Sequence, residues 1–122
     1  MASILIADDS GFTRRIHRRI LESEGHVVYD ATSGMATIES FFLHRPDLVL
    51  LDLTMEDMSG LEVLGRLREM ESGARVIVIS ADVQRSTAQL VGEAGALRFL
   101  GKPVSADALL GAVRDVLAEC DR

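Results

Sequence analysis

Leu48-Val49-Leu50-Leu51 runs without interruption into Asp52, and an irregular polar segment then carries the chain to Gly60. A continuous apolar run of this kind, lacking the alternation of a half-exposed strand, suits a β-strand buried on both faces. Strands of that type belong to parallel sheets covered by helices on each side. Asp52 then stands at the carboxyl end of its strand, the edge where open α/β sheets bind ligands.

The remaining chain repeats the unit that such a strand requires. Ser3–Ala7 is a short apolar run ending at Asp8-Asp9. Ser10 is a good N-cap for a helix from Gly11 to about Ser23, with Phe12, Ile16, Ile20 and Leu21 as its apolar stripe and Gly25 as its stop. His26–Asp30 reads as a short, more polar edge strand. Ser33 caps a second helix with Met35, Ile38, Phe41 and Phe42 facing inward; it ends at Arg45-Pro46, because the residue before proline is pushed out of the helical region. A third helix spans about Gly60 to Met70, and Arg75–Ser80 is the fourth strand. Asp82–Ala94 is a polar helix closed by Gly95, Ala96–Leu100 the fifth strand, and Ser105 the cap of a last helix reaching about Ala118.

Five strands alternating with five helices imply parallel strands joined by right-handed crossovers. The expected fold is a doubly wound five-stranded parallel α/β sheet, with a flavodoxin-like 2-1-3-4-5 order as the first expectation. At 122 residues the chain is sized for one domain, 1–122, and no linker divides it. The single cysteine, Cys120, excludes an internal disulfide and is expected to be inert. The N-terminus lacks a signal-peptide pattern, and no apolar run approaches the roughly 20 residues of a membrane span. A cytoplasmic protein without a membrane partner is expected. The net charge of −6 speaks against nucleic-acid binding, which needs basic neutralisation of phosphates.

In this topology Asp8, Asp9, Asp52, Ser80 and Lys102 fall at or just past the carboxyl ends of strands one, three, four and five, on one edge of one sheet. Three carboxylates gathered there repel one another unless a cation intervenes. Magnesium, a hard ion that prefers oxygen ligands and one or two carboxylates, suits them. Asp52 is also a plausible nucleophile, since carboxylates form acyl phosphates. A phosphoryl group moving onto it needs its oxygens neutralised, and Lys102 and the Ser80 hydroxyl stand on the correct edge. Each feature alone has a plainer reading as turn former, cap or solvated side chain; their joint occurrence favours the functional one.

The chain resembles the receiver domains of two-component response regulators, most closely the stand-alone CheY-like type. The resemblance rests on Ala7-Asp8-Asp9-Ser10, Pro46-Asp47 through Asp52, Met58-Ser59-Gly60, Ser80-Ala81, Ala94-Gly95-Ala96 and Lys102-Pro103. It implies that Asp52 is the phosphoacceptor, supplied by a phosphohistidine on a sensor histidine kinase or a histidine phosphotransfer protein. It implies Mg2+, with Mn2+ as a substitute, held by Asp9, Asp52 and the Thr54 backbone carbonyl, with Asp8 acting largely through a bound water. Ser80 and Lys102 would bind the phosphoryl oxygens, Ser80 and Phe99 would form the switch, and the Lys102-Pro103 bond would be cis. Thr54 and Asp82 occupy positions that tune the phosphoaspartate lifetime. Glu56 replaces the family's usual proline and adds an acid beside the metal, and Phe99 lacks a tyrosine hydroxyl.

The resemblance further implies a kinase-docking first helix, here rich in arginine (Arg14, Arg15, Arg18, Arg19), and an output face on helix four, strand five and helix five, with Leu90, Val91, Arg98 and Leu110 as candidates. The expected function is a switch that binds a downstream protein, with chemotaxis as the first pathway and an auxiliary phosphatase as a further partner. A phosphorelay intermediate is the alternative. A magnesium-dependent phosphatase with an aspartyl-phosphate intermediate is disfavoured, because Thr54 stands where such enzymes carry a second aspartate. A nucleotide or flavin binder lacks its Gly-rich loop, and a degenerate scaffold would not keep every chemical position filled. His17, His26 and His44 have no metal-ligand spacing and are expected to be ordinary surface or strand residues.

Overall fold

The computed structural model describes residues 1–120, leaving aside the Cys120 side chain, so the expectation of an inert thiol lies outside what is described. In chain order the elements are β1 (Ser3–Ala7), α1 (Gly11–Glu22), β2 (Val27–Ala31), α2 (Gly34–His44), β3 (Leu48–Asp52), α3 (Gly60–Met70), β4 (Val76–Ser80), α4 (Arg85–Glu93), β5 (Arg98–Gly101) and α5 (Ala106–Cys120). The five strands form one parallel sheet in the order β2-β1-β3-β4-β5, as expected.

Strand alternation divides the core into two layers. Leu5, Val49, Leu51, Val76 and Val78 point to the side covered by α2, α3 and α4, where they meet Phe41, Val63, Leu64, Leu67 and Val91. Ile4, Ile6, Leu48, Leu50, Ile77 and Ile79 point to the other side and meet Leu21 of α1 and Leu109, Val113 and Val116 of α5. Both faces of β3 are therefore buried, and the boundaries read from its apolar run hold to the residue.

Local chemistry sets most helix ends. Ser10, Ser33 and Ser59 accept hydrogen bonds from the amides of Thr13, Ala36 and Glu62 at the starts of α1, α2 and α3. Ser105 does the same for α5 through Ala108. Gly25 (φ 84°) and Gly95 (φ 107°) take left-handed conformations in the turns after α1 and α4. Arg45, placed before Pro46, caps α2 in the left-handed region.

Several expectations need correction. Phe12 and Ile16 do not face the core: they are 68% and 41% exposed, and the sheet-facing side of α1 carries His17 and Leu21. His17, expected at the surface, is only 5% exposed. Met35 and Phe42 likewise point to solvent, while Gly34, Thr37 and Phe41 make the inward face of α2. α2 is apolar nearly all round, so its periodicity does not select a face. α4 begins at Arg85 and not Asp82, because the Asp82 carboxylate bonds the Gln84 amide and the Thr87 hydroxyl, folding 82–84 into a turn. β2 and β5 also lie later than expected, at Val27–Ala31 and Arg98–Gly101.

Candidate functional site

The strand register brings the acids together. Ala7 pairs with Leu51, Asp52 with Ile79, and Ser80 with Gly101, so the residues ending β1, β3, β4 and β5 reach one edge at nearly one level. Asp52 keeps the parity of Leu48 and Leu50, and Asp8 that of Ile4 and Ile6, which points both carboxylates to the α1–α5 side of the sheet.

Asp8, Asp9 and Asp52 each offer a carboxylate oxygen within 4.8 Å of the others. Asp8 and Asp52 are buried and Asp9 is exposed. Lys102 completes the centre: its Nζ lies 2.9 Å from Asp8 Oδ2 and 3.4 Å from Asp52 Oδ2. The lysine is anchored by its own backbone, whose amide donates to the Ser80 carbonyl at 2.9 Å. The Lys102-Pro103 peptide is cis, as the family resemblance implied.

Asp8 is held on every side. Its Oδ1 accepts from the Ser10 amide at 2.9 Å, and its carbonyl accepts from Arg14 Nη1 at 2.7 Å. Asp52 is held more loosely, with Oδ1 accepting from the Thr54 amide at 3.3 Å. Burial, then the charge of Asp8, push the Asp52 carboxyl above its ordinary range, against the pull of Lys102. Burial works to lower the Lys102 pKa, but the hydrogen bond to Asp8 and the charge of Asp52 outweigh it and raise it.

One lysine thus balances only part of the negative charge that three ionised carboxylates would carry. An all-oxygen donor set with an excess of negative charge fits a hard divalent cation such as magnesium. The candidate residues for holding it are Asp8, Asp9 and Asp52.

The other expected site residues fall around this centre. Ser80 is buried at the end of β4, and its Oγ accepts from the Asp82 amide at 3.0 Å. Phe99, opposite Val78, is half-buried and packs against the α2–α4 core layer. Thr54 is exposed beside Asp52. Glu56 is exposed and lines a cavity of about 350 Å³ with Asp9, Thr32, Ser33 and Asp57. The Asp82 carboxylate is turned toward Thr87 and Gln84 at the start of α4; these bonds, the Thr87 hydroxyl first, hold its pKa below the ordinary range. Of the output-face candidates, Leu90 is exposed and Arg98 pairs with Glu119, whereas Val91 is core and Leu110 packs half-buried against the second core layer.

Two features escaped the sequence reading. His17 and Lys102 share the wall of a cleft of about 280 Å³ between α1 and the β5–α5 turn, lined also by Phe12, Thr13, Ile16, Pro103 and Val104. Burial lowers the His17 pKa, with Asp8 opposing and Lys102 assisting. Asp57 accepts from the Gly34 and Met35 amides at the start of α2, at 2.8 and 2.9 Å. The alternation of α1 with His17 on the Leu21 side was a readable signal for the first; no local pattern announces the second.

The family model for the response regulator receiver domain matches residues 4–114. The chain is 38% identical to the chemotaxis protein CheY of Bacillus subtilis over 115 residues, covering 93% of this chain and 96% of the relative. It is 33% identical to sporulation initiation phosphotransferase F of the same organism, covering 93% and 92%. Among solved structures, a CheY-like receiver domain protein from Methanospirillum hungatei superposes with a TM-score of 0.93 at 27% identity, covering 98% of this chain and 95% of that one. A CheX–CheY complex with BeF3 and Mg2+ from Borrelia burgdorferi superposes with a TM-score of 0.90 at 34% identity, covering 93% and 87%.

Proposed function

This chain belongs to the response regulator receiver domain family, and on that premise we propose that it is a single receiver domain, 1–122, that switches on phosphorylation of Asp52. The observation that carries the reading is the three-carboxylate cluster with Lys102 Nζ reaching both Asp8 and Asp52. An Asp52 carboxylate oxygen forms the new P–O bond as the P–N bond of a phosphohistidine breaks, and the electron pair leaves with the imidazole nitrogen. Asp9, Asp52 and the Thr54 carbonyl would hold Mg2+, for which Mn2+ would substitute, and Asp8 would act through a bound water. When bound, the ion neutralises charge on the transferring group. Lys102 pairs with a phosphoryl oxygen, released from part of its hold on the carboxylates. Ser80 reaches another oxygen by giving up its bond to the Asp82 amide.

That exchange is the basis of the switch. Ser80 begins the turn that Asp82 organises at the start of α4, and Phe99 lies on the strand beside it. Moving Ser80 therefore biases the α4–β5–α5 face, where Leu90 and Arg98 meet a downstream protein. Thr54, Glu56 and Asp82 border the path of an attacking water and set the lifetime of the phosphoaspartate. The phosphodonor, a sensor histidine kinase or histidine phosphotransfer protein, docks on α1 across the cleft of Phe12, Ile16 and Pro103. An auxiliary phosphatase is a further partner. The likeness to CheY proteins supports a chemotaxis output; the likeness to sporulation initiation phosphotransferase F supports a relay that returns the group to a histidine. Neither involves nucleic acid, and among the described residues no helix is long and apolar enough to cross a membrane.

A switch and a turnover phosphatase are separated by two measurements. With Mg2+ and BeF3, the amide signals of Ser80, Asp82 and Phe99 should shift together. With a phosphomonoester and Mg2+, phosphate release should stay at background. Sustained release would favour the aspartyl-phosphate phosphatase, and an unmoved Ser80 would remove the switch.

A further inference from the structure

The segment between β3 and α3, residues 53–59, leaves the acidic centre with the Thr54 amide donating to Asp52 Oδ1 at 3.3 Å and then crosses to α2. It is tied at its base by the Gly60 amide, which donates to the Leu53 carbonyl at 3.0 Å, and by the buried Met55. At its far end two neighbouring residues engage α2. Asp57 accepts from the amides of Gly34 and Met35. Met58 lies flat against Gly34, so closely that a Cβ there would be 2.2 Å from Met58 Cγ. The Met35 and Gly34 amides, in that order, hold the Asp57 carboxyl below its ordinary range although the residue is exposed.

α2 has its own cap, since Ser33 Oγ accepts from Ala36 and the Ser33 carbonyl from Thr37. The Asp57 contact is therefore additional to normal capping, and it joins segments 22 and 23 residues apart. Removing it would leave α2 capped and would free the outer end of the loop. Two residues separate Thr54 from Asp57, and both flanking groups, Asp52 and Thr54, belong to the proposed metal site.

We propose that Asp57 is a positioning residue for the metal site: by bridging to the N-terminus of α2, it holds the 53–59 loop in the shape that presents Thr54 toward Asp9 and Asp52. The proposal rests on the reading of the Asp8–Asp9–Asp52 cluster as a magnesium site. Partners lying behind metal ligands typically change affinity on the order of tenfold when removed, and a comparable rise in the Mg2+ dissociation constant is expected for Asp57→Ala.

The test is an Mg2+ titration of the unphosphorylated protein, followed by amide signals, for wild type, Asp57→Ala, Asp57→Asn and Ser33→Ala. Asp57→Ala should weaken Mg2+ binding and speed hydrogen exchange at the Gly34 and Met35 amides. Asp57→Asn removes the charge but keeps an acceptor oxygen, and should stay nearer wild type. Ser33→Ala removes the bond to the Ala36 amide but leaves the Asp57 bonds to Gly34 and Met35 in place, and should weaken Mg2+ binding less than Asp57→Ala does. Three results overturn the proposal: Asp57→Ala binding as wild type does, Asn matching Ala (loss of charge alone), or Ser33→Ala weakening binding as much (loss of helix capping alone). A wild type that binds no Mg2+ would instead bring down the site reading, and the proposal with it.

Discussion

Replacing each of two glycines of α3 by alanine should move stability in opposite directions. A Cβ at Gly60 would sit 2.6 Å from Leu53 Cα, 2.7 Å from Leu53 Cδ2 and 3.0 Å from the Asp52 carbonyl oxygen. Two of these neighbours are backbone atoms, one of them in Asp52, the proposed phosphoacceptor, and cannot swing aside. Overpacking costs about 1–3 kcal/mol, and contacts with backbone place Gly60→Ala in the upper half, about 2–3 kcal/mol. A Cβ at Gly65, five residues on in the same helix, meets nothing within 4 Å. There alanine should stabilise by about 0.5–1 kcal/mol, because it loses less backbone freedom than glycine in a helix. Thermal unfolding should show Gly60→Ala about 8–12 °C below wild type and Gly65→Ala about 2–4 °C above it. Urea unfolding with unchanged m values would confirm that the shifts reflect stability. Gly60→Ala should also slow phosphorylation by a small acyl phosphate, since relief of the clash displaces Leu53 and Asp52. Gly60→Ala at wild-type stability, or Gly65→Ala the more damaging of the two, would refute the reasoning.

Magnesium should stabilise the folded chain by about 2.7 kcal/mol at a hundred times its dissociation constant; Asp9→Ala should remove most of this, read as the Mg2+-dependent shift in melting temperature. In chelator, the pH dependence follows from the raised Asp52 pKa. The folded state gives up the Asp52 proton less readily than the unfolded one, so stability is lost as pH rises through the Asp52 value. Asp52→Asn should remove that loss and melt higher than wild type at neutral pH; a variant melting lower would contradict it. Arg14 and Arg18 are engaged with the Asp8 carbonyl, the Val28 carbonyl and Asp30, whereas Arg15 and Arg19 are exposed. Arg15→Glu with Arg19→Glu should therefore slow transfer from the protein phosphodonor and leave transfer from a small acyl phosphate unchanged; equal loss with both would remove α1 as the docking face.

The parts of the fold and site that were legible from the sequence share a cause. Leu48–Leu51 has no polar residue to place on either side, so β3 had to be a central strand, and the direction of parallel strands then put Asp8, Asp52, Ser80 and Lys102 on one edge. Helix faces were less legible. The stripe of Phe12, Ile16 and Ile20 looked like the core side of α1, yet the sheet took Leu21 and His17; the four-residue spacing from Leu21 signalled the histidine's face, while its polarity argued against burial. α2 offers apolar residues on every side, so only the close fit of Gly34 beneath Met58 and the burial of Thr37 reveal which face packs. The start of α4 depends on the Asp82 side chain folding 82–84 into a turn through Gln84 and Thr87, where the polar run reads as helix from Asp82 onward. The bridge from Asp57 to α2 joins two loops, and no periodicity connects them.

The central claim is that Asp52 accepts a phosphoryl group with the help of the residues gathered around it. Intact mass measured after incubation with Mg2+ and a small acyl phosphate tests it directly. The account predicts the gain of one phosphoryl group, dependent on Mg2+ and absent in Asp52→Asn. No gain with any acyl phosphate, or an equal gain in Asp52→Asn, would contradict it.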